Sequence, residues 1–204
     1  MRKFVVLGFL LAVLGALDQG ARVFAEDKLE ERAQARVRGV ADVTASISSF
    51  PFLGRLLASN SISEVEVRAE RTALGDLLTA TVEVDLRGVR LQRDALLSGR
   101  VKLEDIDAGT VTVELDADGL GRVLKVPVSI GGGQVSVTVA GRTVTGRATV
   151  AGGALVLEVA GLGALRVPIA RSELITCAVA AAEVVGDSIR LTCEIDEVPP
   201  VLRR

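Results

Sequence analysis

Two periodicities divide the chain. In the first part apolar residues recur at helical spacing: Leu29, Ala33, Val37 and Val40 are separated by Glu30, Glu31, Arg32 and Arg36, which predicts an amphipathic helix over residues 27–38, ended by Gly39. From Ser63 onward the period falls to two. Val65, Val67 and Ala69 alternate with Glu64, Glu66, Arg68 and Glu70, and Ala80, Val82, Val84 and Leu86 alternate with Thr81, Glu83, Asp85 and Arg87. Such alternation marks antiparallel strands with one face in a core and the other in water. The apolar phase slips by one at Gly88, and again near Ile106, and a slip at a glycine predicts a bulge that bends the strand. Val101, Leu103, Val111, Val113 and Leu115 continue the strand pattern, and Asp116–Leu124 reads as a short helical or looped insert.

A meander follows, through Val135–Val139, Val144–Val150, Leu155–Val159 and Leu165–Ile169, with turns at Gly131-Gly132-Gly133, Gly141-Arg142, Gly152-Gly153 and Gly161 to Gly163. Gly186-Asp187 joins a last pair of strands by a two-residue hairpin. Leu124-Lys125-Val126-Pro127-Val128 and Leu165-Arg166-Val167-Pro168-Ile169 are near copies, and a proline in a strand belongs at a sheet edge, where it blunts pairing with other chains. A duplicated edge strand is the other reading.

Between helix and strands lies Phe50-Pro51-Phe52-Leu53-Gly54-Arg55-Leu56-Leu57, which holds the only aromatic residues after position 25. Aromatics bury large apolar areas and normally dominate cores. Two explanations remain open: a lip that dips into lipid, or a loop anchored in the core beside the first strand. If Pro51 opens a short helix, Leu53, Leu56 and Leu57 share one face.

Arg2 and Lys3 precede an unbroken run of apolar and Gly residues from Phe4 to Leu17, too short for the roughly 20 residues of a membrane span and in the range of a signal peptide. Val23-Phe24-Ala25 offers a cleavage junction before Glu26; an uncleaved membrane anchor is the alternative, because helical pattern continues through Asp18 to Val37. The organisation expected is therefore a signal or anchor over residues 1–25 and a single domain over 26–204. In an exported chain, Cys177 and Cys193 are expected as a disulfide rather than as two reduced buried thiols.

Composition narrows the chemistry. The net charge is -2, and there is no basic tract and no aromatic interleaving, so nothing points to nucleic acid. The chain has no histidine, which removes the commonest general base and metal ligand together. Lys28, Lys102 and Lys125 stand in no Ser-x-x-Lys motif. Glu104, Asp105 and Asp107 resemble an Asp-x-Asp sugar-nucleotide motif, but alternating strand faces explain them better. Glu114, Asp116 and Asp118 are spaced like part of a calcium loop, yet the twelfth position, where a bidentate Glu belongs, is Pro127. No glycine-rich turn matches a phosphate-binding fingerprint. An enzyme is poorly supported, and no metal or cofactor is expected. Mean hydropathy of +0.44 and small aliphatic strand faces are compatible with an apolar groove that accepts acyl chains.

The order of these features resembles a known family. An N-terminal apolar segment, the charged run Glu26-Asp27-Lys28-Leu29-Glu30-Glu31-Arg32, Phe50-Pro51-Phe52-Leu53 followed by Leu56-Leu57, then Val65-Glu66-Val67 and Leu86-Arg87-Gly88-Val89, look like the actinobacterial LmeA-type phospholipid-binding proteins over nearly the whole chain. The late cysteine pair around a hairpin is similar to members with a C-terminal disulfide. The resemblance implies an α+β, tubular-lipid-binding-like fold in which a long curved antiparallel sheet wraps an N-terminal amphipathic helix. It also implies an exported, non-enzymatic protein of the periplasm or cell envelope that binds anionic phospholipid and supports envelope lipid or lipoglycan maintenance. Expected partners are phospholipid and a membrane surface, with the chain a monomer. The lipid-binding residues expected are Leu29, Ala33, Val37, Phe50, Phe52, Leu53, Leu56 and Leu57. A structural or adaptor domain that binds envelope proteins through its sheet edges is the competing expectation. The chain departs from the family in lacking later aromatics and in its short middle insert.

Overall fold

A computed structural model describes residues 2–36, 42–74, 78–92, 94–95, 102–161, 163–169 and 177–199. Helix α1 runs unbroken from Arg2–Arg36, so the helix expected over 27–38 is the C-terminal part of a longer one; Val37, Gly39 and Val40 lie outside the described residues. Strand β1 (Asp42–Ile47) follows, then helix α2 (Phe52–Ser59) and the long strands β2 (Ser61–Leu74) and β3 (Leu78–Leu91). After them come β4 (Leu103–Asp105), β5 (Ala108–Asp116), helix α3 (Ala117–Leu124) and the meander β6 (Val128–Gly131), β7 (Gln134–Val139), β8 (Arg142–Ala151), β9 (Ala154–Val159) and β10 (Gly163–Pro168). The hairpin β11 (Ala181–Val185) and β12 (Ser188–Ile195) closes the described order, with Gly186 at φ 62° in its turn.

This is the expected α+β arrangement of an N-terminal helix and a mostly antiparallel sheet, and the strands are shared between two sheets. The first has the order β1-β2-β3-β5-β12-β11, with β4 also on β3; the second is the meander β10-β9-β8-β7-β6. Their apolar faces join in one core, built from Val65, Val84, Leu86, Val111, Leu115, Ile189 and Leu191 of the first sheet and Val135, Val137, Leu155 and Leu157 of the second. Pro127 directly precedes β6 and Pro168 ends β10, and these strands are the two edges of the meander. The near-repeat thus marks both edges, where a missing N–H costs no ladder bond.

The phase slips at Gly88 and Ile106 mark one feature. Leu86 and Val89 are both fully buried, as are Ile62 and Val65 on β2, and Ile106 is buried on the other side. Pairing with β2 keeps its register across Gly88, from Glu64↔Arg87 to Ile62↔Val89, so no residue is inserted there. Instead the pleat inverts at Gly88, whose φ is +60°, and a Cβ there would lie 2.0 Å from Asp107 Oδ2. Only glycine fits both that backbone conformation and that approach. Asp116 accepts a hydrogen bond from Gly119 N at 2.6 Å and so caps α3, which makes the middle insert a helix. Cys177 and Cys193 are disulfide-bonded, with Cα atoms 6.0 Å apart, which pins the segment before β11 to the centre of β12.

Candidate functional site

Helix α1 meets the rest of the molecule through two stripes, each with a four-residue repeat. Ala21, Ala25, Leu29 and Ala33 pack in the core; three of the four are alanines, and small side chains let a helix axis come close to its neighbour. Beside them run Asp18, Arg22, Glu26 and Glu30. Glu30 Oε1 accepts a hydrogen bond from Ala45 N at 2.8 Å, and Glu26 Oε1 accepts from Ile47 N at 2.8 Å and from Arg22 Nε at 2.9 Å. Ala45 and Ile47 are alternate residues of β1, an edge strand, and their amides point away from β2. Edge amides left unpaired are a template for pairing with other chains. Here two carboxylates of α1 occupy them.

Further toward the N-terminus the same stripe reaches α2. Asp18 is 6% exposed and accepts hydrogen bonds from Phe52 N at 3.0 Å and Leu53 N at 2.6 Å. These amides open α2, whose N-cap residue, Pro51, has no side chain that can accept a bond. Asp18 therefore caps α2 from another helix, placing negative charge at the positive end of its dipole. At the far end Asn60 takes the left-handed conformation at φ 54° and donates its N–H to Leu56 O, which turns the chain directly into β2.

This clasp separates the residues of the Phe50–Leu57 segment. Phe52 is 3% exposed and packs in the core, with Leu53 and Leu56 partly buried against it, whereas Phe50 and Leu57 are each 78% exposed. Core anchoring thus holds for Phe52, whereas Phe50 faces solvent. Leu57 follows Leu53 by one helical turn, as the spacing suggested, but the docked face of α2 is centred toward Phe52 and Leu56, which leaves Leu57 exposed. Leu29 and Ala33 are core residues of α1, and Val37 lies outside the described residues. The expected set thus divides into a packed layer of Leu29, Ala33 and Phe52 and an outward lip of Phe50 and Leu57, with Leu53 and Leu56 between. On α1, Val13, Leu14, Leu17, Val23 and Phe24 are also large apolar residues in contact with solvent. Sequence periodicity did not identify Asp18, since an acidic residue ending an apolar run has the same pattern whether it caps a distant helix or faces water. Among the described residues no helix is long and apolar enough to cross a membrane.

The outer face of the first sheet is acidic. Glu66 stands directly across from Asp85, and Glu66, Glu83 and Asp85 bring carboxylate oxygens within 4.8 Å of one another. Burial, followed by the neighbouring carboxylates, raises the pKa of both Glu83 and Asp85 above the ordinary range. Arg68 lies 3.5 Å from Glu83 and 3.6 Å from Glu70, and Arg190 pairs with Glu114 at 2.8 Å. The Asp-x-Asp pair is tied to one arginine: Arg90 bonds Asp105 and, at 3.2 Å, Asp107. That pairing holds the β4–β5 corner against β3 and leaves these carboxylates in a structural role. Of the sheet edges, β1 is covered by α1, and the two meander edges carry a proline at or beside one end. On the meander, Val139, Ala140, Val144, Ala160 and Gly161 with Arg142 border an open depression of about 490 Å³.

No curated protein and no solved structure is significantly similar to the chain. A family model does match, over residues 16–203, a stretch that takes in Asp18, the α2 lip, both sheets and the disulfide. The chain belongs to the LmeA-like phospholipid-binding family.

Proposed function

We propose that this protein is exported to the cell envelope and binds phospholipid there without catalysing a reaction, through the apolar lip that α1 and α2 form. The observation that carries the reading is the pair Phe50 and Leu57, each 78% exposed at the two ends of a helix otherwise docked by Phe52. Leaving two large apolar side chains in water forfeits about 1.5–3 kcal/mol each relative to burial, and membrane insertion recovers it. The acidic outer face of the first sheet is repelled by an anionic surface, so charge and apolarity together turn the lip toward the membrane. Support for envelope lipid or lipoglycan maintenance, with the protein acting as a monomer, is the biological role in keeping with this.

Lipid extraction from the natively purified full chain, read by mass spectrometry, tests the binding. Flotation with phosphatidylglycerol-containing and with phosphatidylcholine vesicles tests the surface. Co-purified phospholipid, and flotation reduced about tenfold in Phe50→Ala with Leu57→Ala at unchanged thermal stability, are expected. Lipid-free protein that ignores both vesicles, or a double variant that floats like the parent, sinks the proposal.

A further inference from the structure

We infer that α1 is retained whole in the working protein, and that Asp18 is the clasp joining a membrane-embedded N-terminal segment to the lip. The peptide bond between Ala25 and Glu26, the junction a signal peptidase would cut, lies inside an unbroken helix running from Arg2–Arg36. Ala25 is 4% exposed, and Glu26 is held by Ile47 N and Arg22 Nε. A signal peptidase acts before the domain folds, and a cut at this junction would take Ala21 and Ala25 out of the packed core.

Cutting there also removes Asp18. Phe52 N and Leu53 N then lose their acceptor at the start of α2, where Pro51 supplies none. The family match begins at residue 16 and so takes in Asp18 and the stretch on to Ala25. Residues 2–17 stand ahead of the clasp as about 24 Å of helix at 1.5 Å per residue, apolar from Phe4 to Leu17. Val13, Leu14 and Leu17 of that stretch are exposed large apolar residues, as Phe50 and Leu57 are on the other side of Asp18's partners. The occupant that covers both is the interface of a lipid bilayer, in which an apolar stretch too short to span can lie. Asp18 sets the depth: it couples how far α1 enters to where the lip sits.

The inference rests on the proposed function for export and for the membrane contact of the lip. The test expresses the full chain with a C-terminal tag, isolates intact spheroplasts, and measures the intact mass of the population that added protease can reach. A protease-accessible chain that keeps residues 1–25 and stays in the membrane pellet at alkaline pH is the expected result. An accessible chain beginning at Glu26 overturns the inference while leaving lipid binding untouched, and an inaccessible domain overturns export and this inference together. Hydrogen exchange supplies a second readout: in the whole-chain Asp18→Leu variant the Phe52 and Leu53 amides exchange at least tenfold faster, with Asp18→Asn close to the parent. Unchanged exchange in Asp18→Leu overturns the clasp.

Discussion

Phe50 and Phe52 are two residues apart and stand in opposite environments, 78% and 3% exposed, because the first turn of α2 swings one toward the core and leaves the other at its rim. Their stability effects should separate accordingly. Phe52→Ala is expected to cost about 3–5 kcal/mol by urea denaturation, as for a buried aromatic, and Phe50→Ala to stay within about 0.5 kcal/mol of the parent. The carboxylates of the first sheet give a second residue-scale expectation. Because Glu83 and Asp85 have raised pKa values in the fold, their protonated forms favour folding. That stability is fully present below their unfolded values, near 4, and is lost as pH rises through the higher folded values. Asp85→Asn removes the repulsion from Glu66, so at pH 7 it is expected to be more stable than the parent by a few tenths of a kcal/mol, since the site is largely solvent-screened. The advantage should vanish in thermal melts near pH 3.5.

Among the elements, α1 does for β1 what another strand would do. Its carboxylates at Glu26 and Glu30 accept from Ile47 and Ala45, which ends the sheet without leaving these two edge amides free. Glu30→Ala is expected to cost about 1 kcal/mol and to speed exchange of the Ala45 amide. Unchanged Ala45 protection would place that bond outside the stable fold. The pleat inversion at Gly88 is the other device of this scale. Ile62 and Val65, Leu86 and Val89, and Ile106 shift phase at one level of neighbouring strands, so the sheet changes which residues it buries while β3 keeps its register on β2 and passes from β5 to β4 on its other side. Both phase slips were legible as breaks in alternation. That they face each other was not, because alternation records each strand separately and carries no information about its neighbours.

Across the whole molecule the Cys177–Cys193 bond closes the return of the chain from the meander to the first sheet, over a sequence separation of 16. Cross-linking a loop of that size restricts the unfolded chain by about 3 kcal/mol, so reduction should lower the melting temperature markedly, and an unchanged melt under reductant would contradict this. The amino-acid sequence by itself determined the local alphabet of this protein: the helical then alternating periods, the glycine turns, the Gly186-Asp187 hairpin, the edge prolines and the cysteine pair. Each is written in neighbouring residues, through side-chain period or the backbone freedom of glycine and proline. Tertiary structure alone decided that the strands split into two sheets sharing a core, that Asp18 caps a helix 34 residues away, and that one phenylalanine of the pair is buried while the other is exposed. Those outcomes depend on which distant surfaces meet and which backbone amides need an acceptor there, and a carboxylate or a phenylalanine has the same local pattern whether or not such a partner arrives.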